Sequence, residues 1–122
     1  MNGKQRILLV DDESDITFTL QSILEDNGFI VDIYTNPVSA LRNFQANSYD
    51  LILLDIKMPD MNGFQLCRGI RKKDKKANIC FLTASETIPD ITKEFSSVFT
   101  VIKKPITNND LIRIVHDLLY KR

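Results

Sequence analysis

The sequence has no surplus of charge of either sign. Its 16 Lys and Arg residues balance 16 Asp and Glu, so the formal net charge at pH 7 is zero. A general polyanion binder would carry a basic excess, so that class is disfavoured. Cysteine is scarce: Cys67 and Cys80 lack C-x-x-C spacing and are too few for a disulfide scaffold. Both read as buried, reduced thiols. His116 is the single histidine, a poor basis for a transition-metal site, so zinc is not expected. No apolar run approaches the ~20 residues that a membrane helix needs. The segment Met1 to Val10 has no cleavable signal pattern, because the apolar stretch Ile7–Val10 runs straight into acids. The expectation is a soluble cytoplasmic protein without membrane contact. There is no glycine-rich phosphate loop of the Walker A kind, and no repeat, linker or low-complexity tract.

What is present is ordinary for one globular domain over residues 1–122: 43% hydrophobic and 26% charged residues. Short apolar runs alternate with helical periodicity. Ile7–Val10, Phe29–Tyr34, Leu51–Leu54, Ile79–Leu82 and Phe99–Ile102 read as strands. After the first strand, Ile16, Leu20, Ile23 and Leu24 form one helix face, stopped by Gly28. Ser14 or Asp15 serves as its cap. Asn36-Pro37 reads as N-cap and first helical residue of a second helix, with Val38, Leu41 and Phe44 inward. A loop, Ile56–Asn62, leads to a third helix carrying Phe64, Cys67 and Ile70. A short or irregular fourth helix near Pro89 would carry Ile88, Ile91 and Phe95. Thr107 and Asp110 resemble a capping box before a last helix with Leu111, Val115, Leu118 and Leu119 inward. Fully apolar strands alternating with amphipathic helices predict an α/β fold, a doubly wound parallel sheet covered on both faces.

Four of these strands end in chemically capable residues: Asp11 and Asp12, Asp55, Thr83, and Lys104. In a parallel sheet all carboxyl ends share one edge, where doubly wound folds bind ligands. Three carboxylates brought together repel unless a cation intervenes. Mg²⁺ suits such oxygen ligands and often takes a phosphate oxygen as partner. A lysine and a threonine hydroxyl beside it are what a transferring phosphoryl group needs. A carboxylate can itself be the nucleophile, and Asp55, ending the most apolar strand, is the best candidate.

The segments Leu8-Leu9-Val10-Asp11-Asp12-Glu13, Asp55 through Gly63 (DIKMPDMNG), Leu82-Thr83-Ala84 and Lys104-Pro105 resemble those of the response-regulator receiver domain. Each segment is weak alone; four in order and spacing are specific, and they cover nearly the whole chain. The resemblance implies a flavodoxin-like, three-layer fold with five parallel strands in the order 2-1-3-4-5 and five helices. It implies that Asp55 accepts a phosphoryl group from a phosphohistidine on a sensor histidine kinase or phosphotransfer protein. Asp12 and Asp55 would ligate Mg²⁺ (or Mn²⁺) directly, Asp11 mainly through a water, and the backbone carbonyl of Lys57 would complete the protein ligands. Thr83 and Lys104 would bind the phosphoryl oxygens. Pro105 selects Lys104 over Lys103 for that role, and X-Pro is the bond that adopts cis readily. A downstream protein would read the changed surface, with no direct nucleic acid contact. The chain ends at Tyr120-Lys121-Arg122, which fits a stand-alone receiver, a phosphorelay intermediate, or a receiver cut from a longer regulator.

The sequence departs from the family pattern in two places. Val101 stands where a Tyr or Phe usually lies three residues before the lysine; Phe99 shares its strand parity, but sits ~6–7 Å further along. Thr87–Ser97 lacks the usual Gly-Ala and contains Ile88-Pro89. Lys57 and Ser85, two residues beyond Asp55 and Thr83, would border the path of an attacking water. Glu13 and Asp15 read as solvated, favourable to a helix start. The run Arg68, Arg71, Lys72, Lys73, Lys75, Lys76 reads first as a solvated helix end and second as a docking patch. Two other classes remain. An aspartyl-phosphate phosphatase of the haloacid dehalogenase type wants Asp-x-Asp, and Lys57 occupies that second position. A phosphate-independent interaction domain of the same fold would have no need of the acid pocket.

Overall fold

Each strand is a five- or three-residue run whose side chains alternate between two faces, so every strand must be covered twice. In the computed structural model, which describes residues 4–84 and 100–120, five strands form one parallel sheet. They are β1 (Arg6–Val10), β2 (Ile30–Tyr34), β3 (Leu51–Asp55), β4 (Ile79–Thr83) and β5 (Val101–Lys103), in the order β2-β1-β3-β4-β5. The chain reverses direction of winding between β1 and β3, as the doubly wound reading requires. Among the described residues four helices cover the sheet: α1 (Ser14–Asp26), α2 (Pro37–Asn43), α3 (Gly63–Lys73) and α4 (Asn108–Tyr120). The short helix expected near Pro89, with Phe99 and Ser85, lies outside the described residues. Among these residues no helix is long and apolar enough to cross a membrane.

The period of two divides the core cleanly. Leu8, Val10, Ile52, Leu54, Ile79 and Phe81 face α2 and α3. Their neighbours Ile7, Leu9, Leu51, Leu53, Cys80 and Leu82 face α1 and α4. Burying each such side chain contributes about 1.5–3 kcal/mol. Both cysteines are free and buried, and burial pushes the Cys80 thiol up to about 12, so it stays protonated.

Local chemistry sets the helix ends. Gly28 adopts a positive φ of 92°, and its N–H and that of Phe29 bond back to the Glu25 and Leu24 carbonyls, a Schellman close to α1. Asn36 caps α2 by accepting from the Ser39 N–H, with Pro37 following. Asn62 and Gln65 form a reciprocal capping box on α3, which the sequence reading overlooked. The Thr107 hydroxyl accepts from the Asp110 N–H, but Asp110 turns to Arg113 instead of completing a box. Two expectations fail here. Val38 is exposed, and Pro37 and Ala40 take the inward positions of α2. Neither Ser14 nor Asp15 caps α1; the N-cap position is Glu13, with no capping bond from its side chain. The strand boundaries move by one residue at Ile30 and two at Val101.

Candidate functional site

The sheet's carboxyl edge gathers residues from all four strands singled out in the sequence. Backbone bonds fix these ends: Asp11 N–H bonds the Tyr34 carbonyl at the end of β2, Ile56 N–H bonds Leu82 of β4, and Lys104 N–H bonds Thr83 of β4 at 2.7 Å. Asp11, Asp55, Thr83 and Lys104 are buried, while Asp12 is half-buried. Buried charge is tolerated only when paired, and Lys104 provides the pairing. Its Nζ lies 2.9 Å from Asp11 Oδ2 and 3.4 Å from Asp55 Oδ1. It also lies 3.7 Å from Glu13 Oε1, so Glu13 is exposed, as expected, yet faces the site's cation. The Lys104–Pro105 bond is cis.

The electrostatics remain unbalanced on the acid side. Burial, then the Asp11 charge, raise the Asp55 carboxyl to about 6; Lys104 opposes this, and Asp12 adds to it. Burial works against the Lys104 ammonium, but its bond to Asp11 and the charges of Asp55, Asp11 and Glu13 outweigh that and hold its pKa above the usual lysine value. Carboxylate oxygens of Asp11, Asp12 and Asp55 all lie within 4.8 Å of one another. One hard divalent cation can be shared among oxygens this close. Asp11 has little left to offer it directly: Oδ1 accepts from the Glu13 N–H at 3.0 Å and Oδ2 from Lys104. A cation placed here would find more available oxygens on Asp12 and Asp55.

The loop after Asp55 is shaped by close approach. Gly63 donates its N–H to the Ile56 carbonyl, and a Cβ at Gly63 would collide with the Asp55 carbonyl oxygen. Asp60 takes a left-handed φ of 71°, which Asp adopts more readily than most residues. Lys57 is exposed and lines, with Met58, Pro59 and Phe64, a surface cavity of about 430 Å³. A second groove of about 450 Å³ runs between α1 and the Lys104–Asn108 segment, apolar along Ile16, Leu20, Ile23 and Ile106. Val101 is half-buried, pairs with Phe81 across β4 and packs on the α2–α3 side of the core.

The chain resembles known proteins along most of its length. Residues 7–116 match the model of the response regulator receiver domain, and the chain belongs to that family. RprY, a transcriptional regulatory protein of Bacteroides fragilis, is 31% identical over 112 residues, which are 91% of this chain and 48% of that protein. The probable transcriptional regulator ycf29 of Porphyra purpurea is 32% identical over 118 residues, 94% of this chain and 56% of that one. The chain thus spans about half the length of these curated relatives. Among solved structures, the response regulator TrrA of Thermotoga maritima, in complex with Mg²⁺-BeF, is 36% identical, with a TM-score of 0.80 over 94% of this chain and 99% of that one. The non-phosphorylated HemR receiver domain of Leptospira biflexa has 30% identity and a TM-score of 0.88 over 98% and 97%. TrrA has also been solved in complex with the histidine kinase ThkA. Receiver domains are signalling switches of two-component systems, and this chain has their fold.

Proposed function

We propose that the whole chain, residues 1–122, acts as one receiver domain whose Asp55 carboxylate accepts a phosphoryl group from a phosphohistidine. The donor is a sensor histidine kinase or a phosphotransfer protein, and the setting is the cytoplasm. The observation that carries this reading is the meeting of Asp11, Asp12 and Asp55 with Lys104 on one buried edge. An Asp55 oxygen attacks phosphorus as the P–N bond to the donor histidine breaks, and the histidine nitrogen keeps the electron pair. Asp12, Asp55 and the Lys57 backbone carbonyl would hold Mg²⁺ or Mn²⁺, with Asp11 acting through a water, and such an ion would supply positive charge to the phosphoryl oxygens. Lys104 leaves Asp55 for a phosphoryl oxygen while keeping Asp11, and the Thr83 hydroxyl donates to another. The new charge, roughly −1.5 to −2, biases two conformations that a downstream protein distinguishes. This domain makes no direct contact with nucleic acid. The groove beside Lys104 supports docking of the donor next to Asp55.

The test is incubation with Mg²⁺ and acetyl phosphate, followed by intact mass. A single phosphate on the wild type and none on Asp55→Asn is expected. No adduct from acetyl phosphate or from any kinase would refute the reading and leave the phosphate-independent interaction domain.

A further inference from the structure

Among the described residues, five polar or charged side chains are buried: Asp11, Thr17, Asp55, Thr83 and Lys104. Four belong to the site above. The fifth, Thr17, lies on α1, is 0% exposed, and occupies a position that the helix's apolar periodicity would give to a hydrocarbon side chain. Its hydroxyl is 3.0 Å from the Asp11 carbonyl oxygen and 2.7 Å from the Glu13 carbonyl oxygen. The second contact is the ordinary bond of a helical threonine to the carbonyl four residues back. The first reaches out of the helix to the end of β1.

This arrangement brackets Asp12. The Asp11 carbonyl and the Cα of Asp12 lie in one rigid peptide plane, so holding that oxygen fixes where the Asp12 side chain begins. On the other side, the Glu13 carbonyl is held both by the same hydroxyl and by the Thr17 N–H at 3.0 Å. The Glu13 side chain makes no capping bond, so the turn lacks the usual device for fixing a helix start. The remaining tie within it is the Glu13 N–H to Asp11 Oδ1.

We infer that Thr17 is a positioning residue for the cation site: its buried hydroxyl, whose one proton is shared between the Asp11 and Glu13 carbonyl oxygens, holds the turn that presents Asp12. The inference rests on the cation-dependent reading of the site given above. Partners that orient metal ligands without touching the metal commonly change affinity by about 10–100-fold. Thr17 acts through backbone, which places it at the lower end, about tenfold.

The experiment is a calorimetric Mg²⁺ titration of the full chain, with thermal melts in EDTA run alongside. Thr17→Val keeps the shape and removes the donor; it should bind Mg²⁺ about tenfold more weakly than wild type. Thr17→Ser keeps the hydroxyl and removes the methyl, and its affinity should stay close to that of wild type even where its melt falls. A merely structural threonine would lower the melts and leave the affinity of the folded protein unchanged. Should Thr17→Val fail to fold, Thr17→Cys, with its weaker donor, replaces it and should show a partial loss. Wild-type affinity in the variant lacking the donor, or equal losses in Val and Ser, overturns the inference. A wild type that takes up no Mg²⁺ at millimolar concentration overturns the reading of the site itself, which separates the two failures.

Discussion

Asp55→Asn should make the metal-free protein more stable at neutral pH. In the folded chain burial and the Asp11 charge lift the Asp55 carboxyl from 3.8 to about 6. At pH 3 and below, Asp55 is largely protonated in folded and unfolded chains alike and contributes little. Between pH 3 and 6 the unfolded chain releases its proton while the folded chain keeps it, so stability falls as pH rises. Above pH 6 the full cost is present. A difference of about two pKa units corresponds to about 3 kcal/mol. Asparagine has the same shape and no charge, so at pH 7.5 in EDTA it should recover about 3 kcal/mol, or roughly 10 °C in Tm for a domain of this size. At pH 3 the two proteins should melt together. Mg²⁺ should then raise the wild-type Tm, by about 2.7 kcal/mol of stabilisation at a hundredfold excess over Kd, and raise that of Asp55→Asn less. Urea or thermal denaturation at the two pH values, with and without Mg²⁺, gives all four comparisons. If Asp55→Asn is no more stable than wild type at pH 7.5, or is equally more stable at pH 3, the electrostatic account of the site is wrong.

Three further outcomes are expected. Lys104→Ala leaves Asp11 and Asp55 buried without their shared cation; it should cost about 3 kcal/mol at pH 7.5, with a smaller loss at pH 4.5, where Asp55 is protonated. Equal losses at both pH values in urea melts would contradict the pairing. Gly63→Ala drives a methyl into the Asp55 carbonyl and should lower stability by about 1–3 kcal/mol; an unchanged urea midpoint would mean that the loop moves aside freely. Lys57→Ala removes the long exposed side chain two residues from Asp55 and should shorten the half-life of the phosphorylated protein, which intact mass against time will follow; equal half-lives would exclude a shielding role.

The fold was legible because strands buried on both faces need hydrocarbon at every position, and Leu51 through Leu54 satisfy this without exception. The site was legible because its residues end those strands, so Asp11, Asp12, Asp55, Thr83 and Lys104 converge once the sheet is parallel. Val38 misled because a seven-residue helix has room for few inward positions, and Pro37 and Ala40 took them. The α3 cap could have been read from Asn62 and Gln65, three residues apart. The Glu13–Lys104 approach could not, since it depends on how far a lysine at the end of β5 reaches past β4 and β3 toward the end of β1. Thr17 left a faint trace: a hydroxyl three residues before Leu20, on a face otherwise apolar.

Lys104 and Asp11, 93 residues apart, form the longest-range bond of the site. During synthesis the acids of β1 and β3 emerge well before β5, and the order β2-β1-β3-β4-β5 places β5 outermost, on β4. Until that strand docks, the growing chain holds three crowded carboxylates without their cation, and the loop to be closed spans 93 of the 122 residues. The receptive edge is therefore complete only once the outermost strand has docked. A partly folded chain would present repelling acids, and a divalent cation in the surrounding solution would favour the last strand's arrival by easing that repulsion.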